Sequence, residues 1–98
     1  MNEKEWASIW VTQDMCIWEG KVDVLSVVVT PKTAAETVIY LRDGRDVSSS
    51  IKLKIRVSGN TTITVNPAKP LFLENGLFVD IDDDTDGVLV IFSPKREV

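Results

Sequence analysis

In residues 51–57, IKLKIRV, apolar and basic side chains alternate without a break. A period of two marks an extended strand, which sends successive side chains to opposite faces. Ile51, Leu53, Ile55 and Val57 are therefore expected to face a core, and Lys52, Lys54 and Arg56 to face water. Ser58 to Thr61 follow, and Gly59-Asn60 suits a two-residue hairpin turn, because glycine reaches positive φ without a Cβ clash. That turn would lead into TITV, with Ile63 and Val65 continuing the buried face. Upstream, VDVLSVVVT (22–30) is dense in β-branched residues and apolar on both faces, which predicts a central strand that Pro31 ends.

The same period recurs elsewhere. TVIYLRDGRD (37–46) predicts a strand running into an Asp43-Gly44 turn, and NPAKP (66–70) a loop stiffened by two prolines. LFLENGLFVDI (71–81) reads as a strand interrupted at Asn75-Gly76, and VLVIF (88–92) as the last strand. Near the start, ASIWV and MCIW give two more short extended pieces. No segment carries a helical period. The expected fold is all-β, a two-layer antiparallel β-sandwich of about seven or eight strands in a jelly-roll or immunoglobulin-like arrangement. With 98 residues, 1–98 is expected to form a single domain with little room for a deep pocket. Residues 1–4 and 94–98 are its expected flexible ends.

Composition narrows the function. Hydrophobic residues make up 44% and charged residues 27%, as in ordinary folded domains. The net charge of −4 disfavours a general nucleic-acid-binding surface. Cys16 is the one cysteine, so nothing points to a disulfide framework. The first residues lack the features of a secretory signal, and no apolar run approaches the ~20 residues that span a bilayer. The expectation is synthesis in a cytosol without membrane attachment. With no histidine in the chain, Ser-His-Asp and Cys-His arrangements and histidine-ligated metals are excluded. Cys16, between Met15 and Ile17, reads as a buried small hydrophobe. The chain is expected not to be an enzyme.

Three features carry candidate chemistry. In DIDDDTDG (80–87), Asp82, Asp84, Asp86 and Gly87 match the opening of a calcium loop. The bidentate glutamate such a loop needs at its twelfth position is replaced by Ser93, and the flanks are strand-like, so this is not a helix–loop–helix calcium site. A looser cation site could use Asp80, Asp82, Asp84 and Asp86. The alternative is a β-hairpin tip in which aspartates and Gly87 serve turn geometry and solubility. Trp6 and Trp10 share one face of an extended segment, with Ala7, Ile9 and Val11 on the other. They serve as end caps of the sandwich, as a subunit interface or as a sugar-stacking platform. Trp18, beside a glycine turn, reads as core. The Lys52, Lys54, Arg56 row is a solvated outer face or meets an acidic partner; it lacks the interleaved aromatics of a single-strand nucleic-acid site.

The order of these segments, VDVLSVVVTP, then ETVIYLRDGRDVSSSIKLKIRV, then KPLFLENGLFVDIDDDTDGVLVIFSP, resembles small β-sandwich virion structural proteins of tailed bacteriophages. In those a strand and glycine turn, here Tyr40 to Gly44, precede a segment like Phe72 to Ile81 and a closing hairpin. The resemblance implies a non-enzymatic capsid decoration or head–tail or tail accessory protein. Such a protein would be made in the host cytoplasm and located in the virion. Its partners would be copies of itself, a trimer about a local axis among the options, and other capsid or tail proteins, with neither nucleic acid nor membrane. No cofactor is implied, and Trp6 and Trp10 are the contact residues this reading favours. The alternative is a small carbohydrate- or calcium-binding β-sandwich module.

Overall fold

A computed structural model describes residues 6–94. Most of the ends expected to be flexible, 1–4 and 95–98, lie outside the described residues. Among those described there are nine strands and no helix: β1 (Ala7–Val11), β2 (Met15–Glu19), β3 (Val22–Pro31), β4 (Thr37–Asp43), β5 (Ser50–Val57), β6 (Ile63–Val65), β7 (Leu71–Leu73), β8 (Gly76–Ile81) and β9 (Thr85–Pro94). They form two antiparallel sheets. One has the order β1-β9-β3-β6, with β7 also pairing with β3, and the other the order β2-β8-β4-β5.

This is the eight-position jelly roll, a sandwich with no helical layer. The sixth position is split into β6 and β7 by the proline-stiffened 66–70 loop, and both pieces pair with β3. The pairs nest about the 44–49 loop: Thr37 faces Val57, Val24 faces Leu71, Met15 faces Val79 and Ala7 faces Phe92. The chain is thus one long antiparallel hairpin rolled on itself. Asp46 pins its tip, accepting from the Ser48 hydroxyl at 2.6 Å and the Ser48 N–H at 3.0 Å. Those bonds hold the Asp46 carboxyl below its ordinary pKa.

The core lies between the sheets and is rich in valine, whose branched side chains suit a pleated surface. Val22, Val24, Val27 and Val29 of β3, Ile39 and Leu41 of β4, Leu77 and Val79 of β8, and Val88 and Val90 of β9 are fully buried. Burial of one such side chain is worth roughly 1.5–3 kcal/mol. β3 is central, as expected, but its apolar run is not buried on both faces. Val24 faces Phe92 while Ser26 faces Ile91, so Leu25 is an extra residue that swings outward. The bulge shifts the phase: Val22 and Val24 face the core before it, Val27 and Val29 after it.

A second bulge corrects the expectation for residues 51–57. Leu41 faces Leu53 but Arg42 faces Ile51, leaving Lys52 unopposed. Ile55 and Val57 are core, whereas Ile51 has moved to the outer face and is 53% exposed. Nor do β5 and β6 form a hairpin. They belong to different sheets, and the Gly59-Asn60 turn is a crossing between layers. Asn60, at φ 62°, supplies the left-handed residue, while Gly59 lies against the Ala34 carbonyl with no space for a Cβ. Ile63 is consequently exposed on the short edge strand β6.

Candidate functional site

The acidic stretch 80–87 is likewise not a hairpin tip, because β8 and β9 lie in different sheets; it is an arch across one end of the sandwich. Asp80 leaves β8 on the outer face and pairs with Arg42, whose Nε donates to it at 3.1 Å and whose terminal nitrogen lies 3.0 Å away. Asp82 turns inward. Its Oδ1 accepts from the Thr37 hydroxyl at 2.7 Å, the Asp84 N–H at 2.9 Å and the Thr85 hydroxyl at 3.2 Å; its Oδ2 accepts from the Val38 N–H at 2.8 Å. The Thr37 and Thr85 hydroxyls, both buried, also lie against each other. Burial by itself would raise the Asp82 pKa, but these donors outweigh it and hold the carboxyl below its ordinary value. Asp84 contributes its carbonyl, which accepts from the Lys32 N–H at 2.7 Å, and Asp86 is exposed at the start of β9. The four alternating aspartates thus have separate positions. Among the described residues no group of three or more His, Cys, Asp or Glu is placed to hold a metal ion.

Asp14, just before β2, accepts from the Ile81 N–H at 2.8 Å and ties the β1–β2 turn to the arch. Between that turn, Lys32 and the arch lies an open cleft of about 570 Å³ lined by Asp14, Asp82 and Asp83. Lys32 lines the same cleft, and Asp82 is already saturated with donors.

Trp10 lies opposite Leu89 on the outer face of the five-stranded sheet, while Ile9 and Val11 on the same strand turn to the core. Trp10 is 48% exposed and Trp6 38%. The Trp10 indole covers Gly87, where a Cβ would collide with its six-membered ring. Leu89 faces Val28 in turn, so Trp10, Leu89 and Val28 form one outward apolar row, with Ile91 beside it and the bulged Leu25 beyond. Outer faces of antiparallel sheets are normally polar. An apolar one rimmed by exposed tryptophan is the kind of surface other molecules cover.

The outer face of the four-stranded sheet is charged. Lys52, Lys54 and Arg56 are exposed along the edge strand β5. Tyr40, inward of them on β4, has the Arg42 guanidinium 5.3 Å and the Lys54 ammonium 5.9 Å from its ring centre. Cys16 is half-buried on β2 and donates weakly to the Trp18 carbonyl; burial, then the charge of Glu19, pushes its thiol pKa up. Trp18, expected in the core, is 38% exposed at the sheet's end. The Asp82 hub was missed in the sequence, although the spacing Asp82, Asp84, Thr85 is that of an aspartate turn whose side chain caps its own loop.

No family model and no curated protein matches the chain. Two solved structures share its outline. A chain from the structure described as "Bacillus endospore appendages form a novel family of disulfide-linked pili" matches with TM-score 0.47 and 10% identity, over 96% of this chain and 88% of that one. The Tobacco streak virus coat protein matches with TM-score 0.37 and 11% identity, over 93% of this chain and 90% of that one. At such identities and scores the likeness concerns the general shape, and neither match carries an argument about function.

Proposed function

We propose that this protein is a non-enzymatic structural or accessory subunit of a bacteriophage virion, a capsid decoration or head–tail or tail component. It acts by self-association and by docking on a particle lattice, through the apolar outer face that carries Trp6 and Trp10. The observation that supports this reading is the Trp10–Leu89–Val28 row, an exposed aromatic and aliphatic strip where a solvated sheet would be polar. Its partners are copies of itself and neighbouring capsid or tail proteins, and its place is the virion after synthesis in the host cytoplasm.

The test is Trp10→Ala. A buried interfacial tryptophan is worth roughly 2 kcal/mol, so binding to the particle should weaken by about thirtyfold. The β circular-dichroism spectrum and cooperative melting should stay unchanged, because the ring lies outside the core. Gly87→Ala should act in the same direction while keeping the tryptophan, since the added methyl displaces the indole from its seat. Loss of folding in either variant would make Trp10 a cover for the sheet and remove the proposed contact. The reading requires no cofactor, so millimolar calcium should leave the melting temperature where it is; a rise would favour a cation-binding module, because a ligand that binds only the folded state must stabilise it.

A further inference from the structure

We infer that two copies of this chain pack their four-stranded sheets face to face about a two-fold axis parallel to the strands. The inference rests on the proposed self-association and adds to the tryptophan face a second contact surface, remote from it. The outer face of this sheet is charge-segregated. Along one row, Asp80 of β8 faces Tyr40 of β4, which faces Lys54 of β5, and Asp14 stands at the β2 end beside the Ile81 N–H it binds. Asp80 is already paired with Arg42 within the chain, so Asp14 is the acid left on the β2–β8 side to meet a partner, while base occupies the β5 edge, where Lys52 and Arg56 extend the positive charge. The Glu36 carboxylate 3.6 Å from Arg56 is exposed and screened, and neutralises that edge only slightly.

The next row reads Cys16, Phe78, Arg42, Ile51 across the same four strands. A two-fold parallel to the strands reverses the strand order of the second copy, so that β5 lies over its β2 and β4 over its β8. Lys54 then meets the second copy's Asp14, Arg42 meets Phe78, and the exposed Ile51 meets the half-buried Cys16. Acid covers base, a guanidinium covers a ring, and aliphatic covers thiol, each contact made twice. The other in-plane two-fold, across the strands, would set lysine on lysine and aspartate on aspartate, which costs binding energy. The charge pattern therefore selects one axis, and it makes the displaced Ile51 a contact residue.

Ile51→Cys tests the arrangement directly. Cys16 and position 51 sit three strand spacings apart in one chain, about 14 Å, beyond the ~7 Å that a disulfide can bridge. Oxidation of the dilute variant at mildly alkaline pH should therefore give a covalent dimer in which Cys16 of one copy is linked to the introduced thiol at position 51 of the other. Lys54→Glu should weaken dimerisation by about tenfold in sedimentation and become insensitive to salt. Adding Asp14→Lys to Lys54→Glu should restore it. Monomers under every condition, cross-links that mainly join the two introduced thiols to each other, or a dimer indifferent to Lys54→Glu would overturn the face-to-face pairing. Particle binding lost with Trp10→Ala would still stand in those cases, so the two readings fail separately.

Discussion

Gly76→Ala is expected to lower the melting temperature by more than about 10 °C. Gly76 is buried at the handover from β7 to β8, where the chain leaves one sheet for the other, and its φ is +148°. An L side chain there costs roughly 1–2 kcal/mol in backbone strain alone. A Cβ would also lie 2.5 Å from the Gly44 carbonyl oxygen and 2.8 Å from that of Trp18. These are backbone atoms and cannot rotate away; the Gly76 carbonyl meanwhile accepts the Gly44 N–H at 3.2 Å. Overpacking of this kind costs a further ~1–3 kcal/mol. Gly20→Ala provides the comparison. Gly20 also has positive φ, +109°, but its Cβ would meet only the Trp18 indole nitrogen, at 3.9 Å. A thermal melt should show the Gly20 variant losing a few degrees and the Gly76 variant several times more. Equal losses would mean that strain, and not close approach, governs Gly76.

Asp82→Asn should destabilise the protein by about 2–3 kcal/mol at neutral pH, because an amide cannot accept from all four donors that surround it. The pH dependence follows from the direction of the pKa shift. The folded carboxyl lies below its ordinary value, so the unfolded chain takes up the proton first as pH falls. The stabilisation is present in full above the unfolded value of about 3.9 and is lost as pH drops through the lower folded one. Melting temperatures measured from pH 7 down to pH 2 should therefore show wild type and Asp82→Asn converging in acid. A constant gap across that range would mean that the carboxylate's charge is irrelevant to the arch.

The strands were legible in the sequence because period-two alternation reports burial directly. Their partners were not. Gly59-Asn60 and the 82–87 tract both have turn chemistry, and turn chemistry is the same for a hairpin within one sheet as for an arch between two. In a nested fold, adjacent segments mostly change sheets, so the nearest-neighbour rule failed at both places. It held at residues 43–50, the tip of the rolled hairpin. The bulges at Leu25 and Lys52 were invisible for a related reason. A one-residue slip changes which residues face inward without changing any residue type, and that is why Ile51 looked like core. Exposed Trp10 was placed on its face correctly, since Ile9 and Val11 fix the other side. The Asp82 hub needed knowledge that Thr37, 45 positions earlier, would lie beside it.

The nested pairing also governs how the chain reaches its fold. β3, the apolar strand at the centre of its sheet, has β9 as its longest partner, and β9 is synthesised only after the five strands that lie between them in the chain. At about 5–20 residues per second, β3 waits several seconds on the ribosome with a flank unpaired. Contacts so distant in sequence close slowly, in milliseconds to seconds even for the finished chain. A nascent VDVLSVVVT strand without β9 is a template for pairing with the same strand on a neighbouring ribosome. Chains ending before Thr85 should therefore aggregate instead of folding partially, and yield of the full-length product should rise when the nascent β3 segment is held by a chaperone until β9 has emerged.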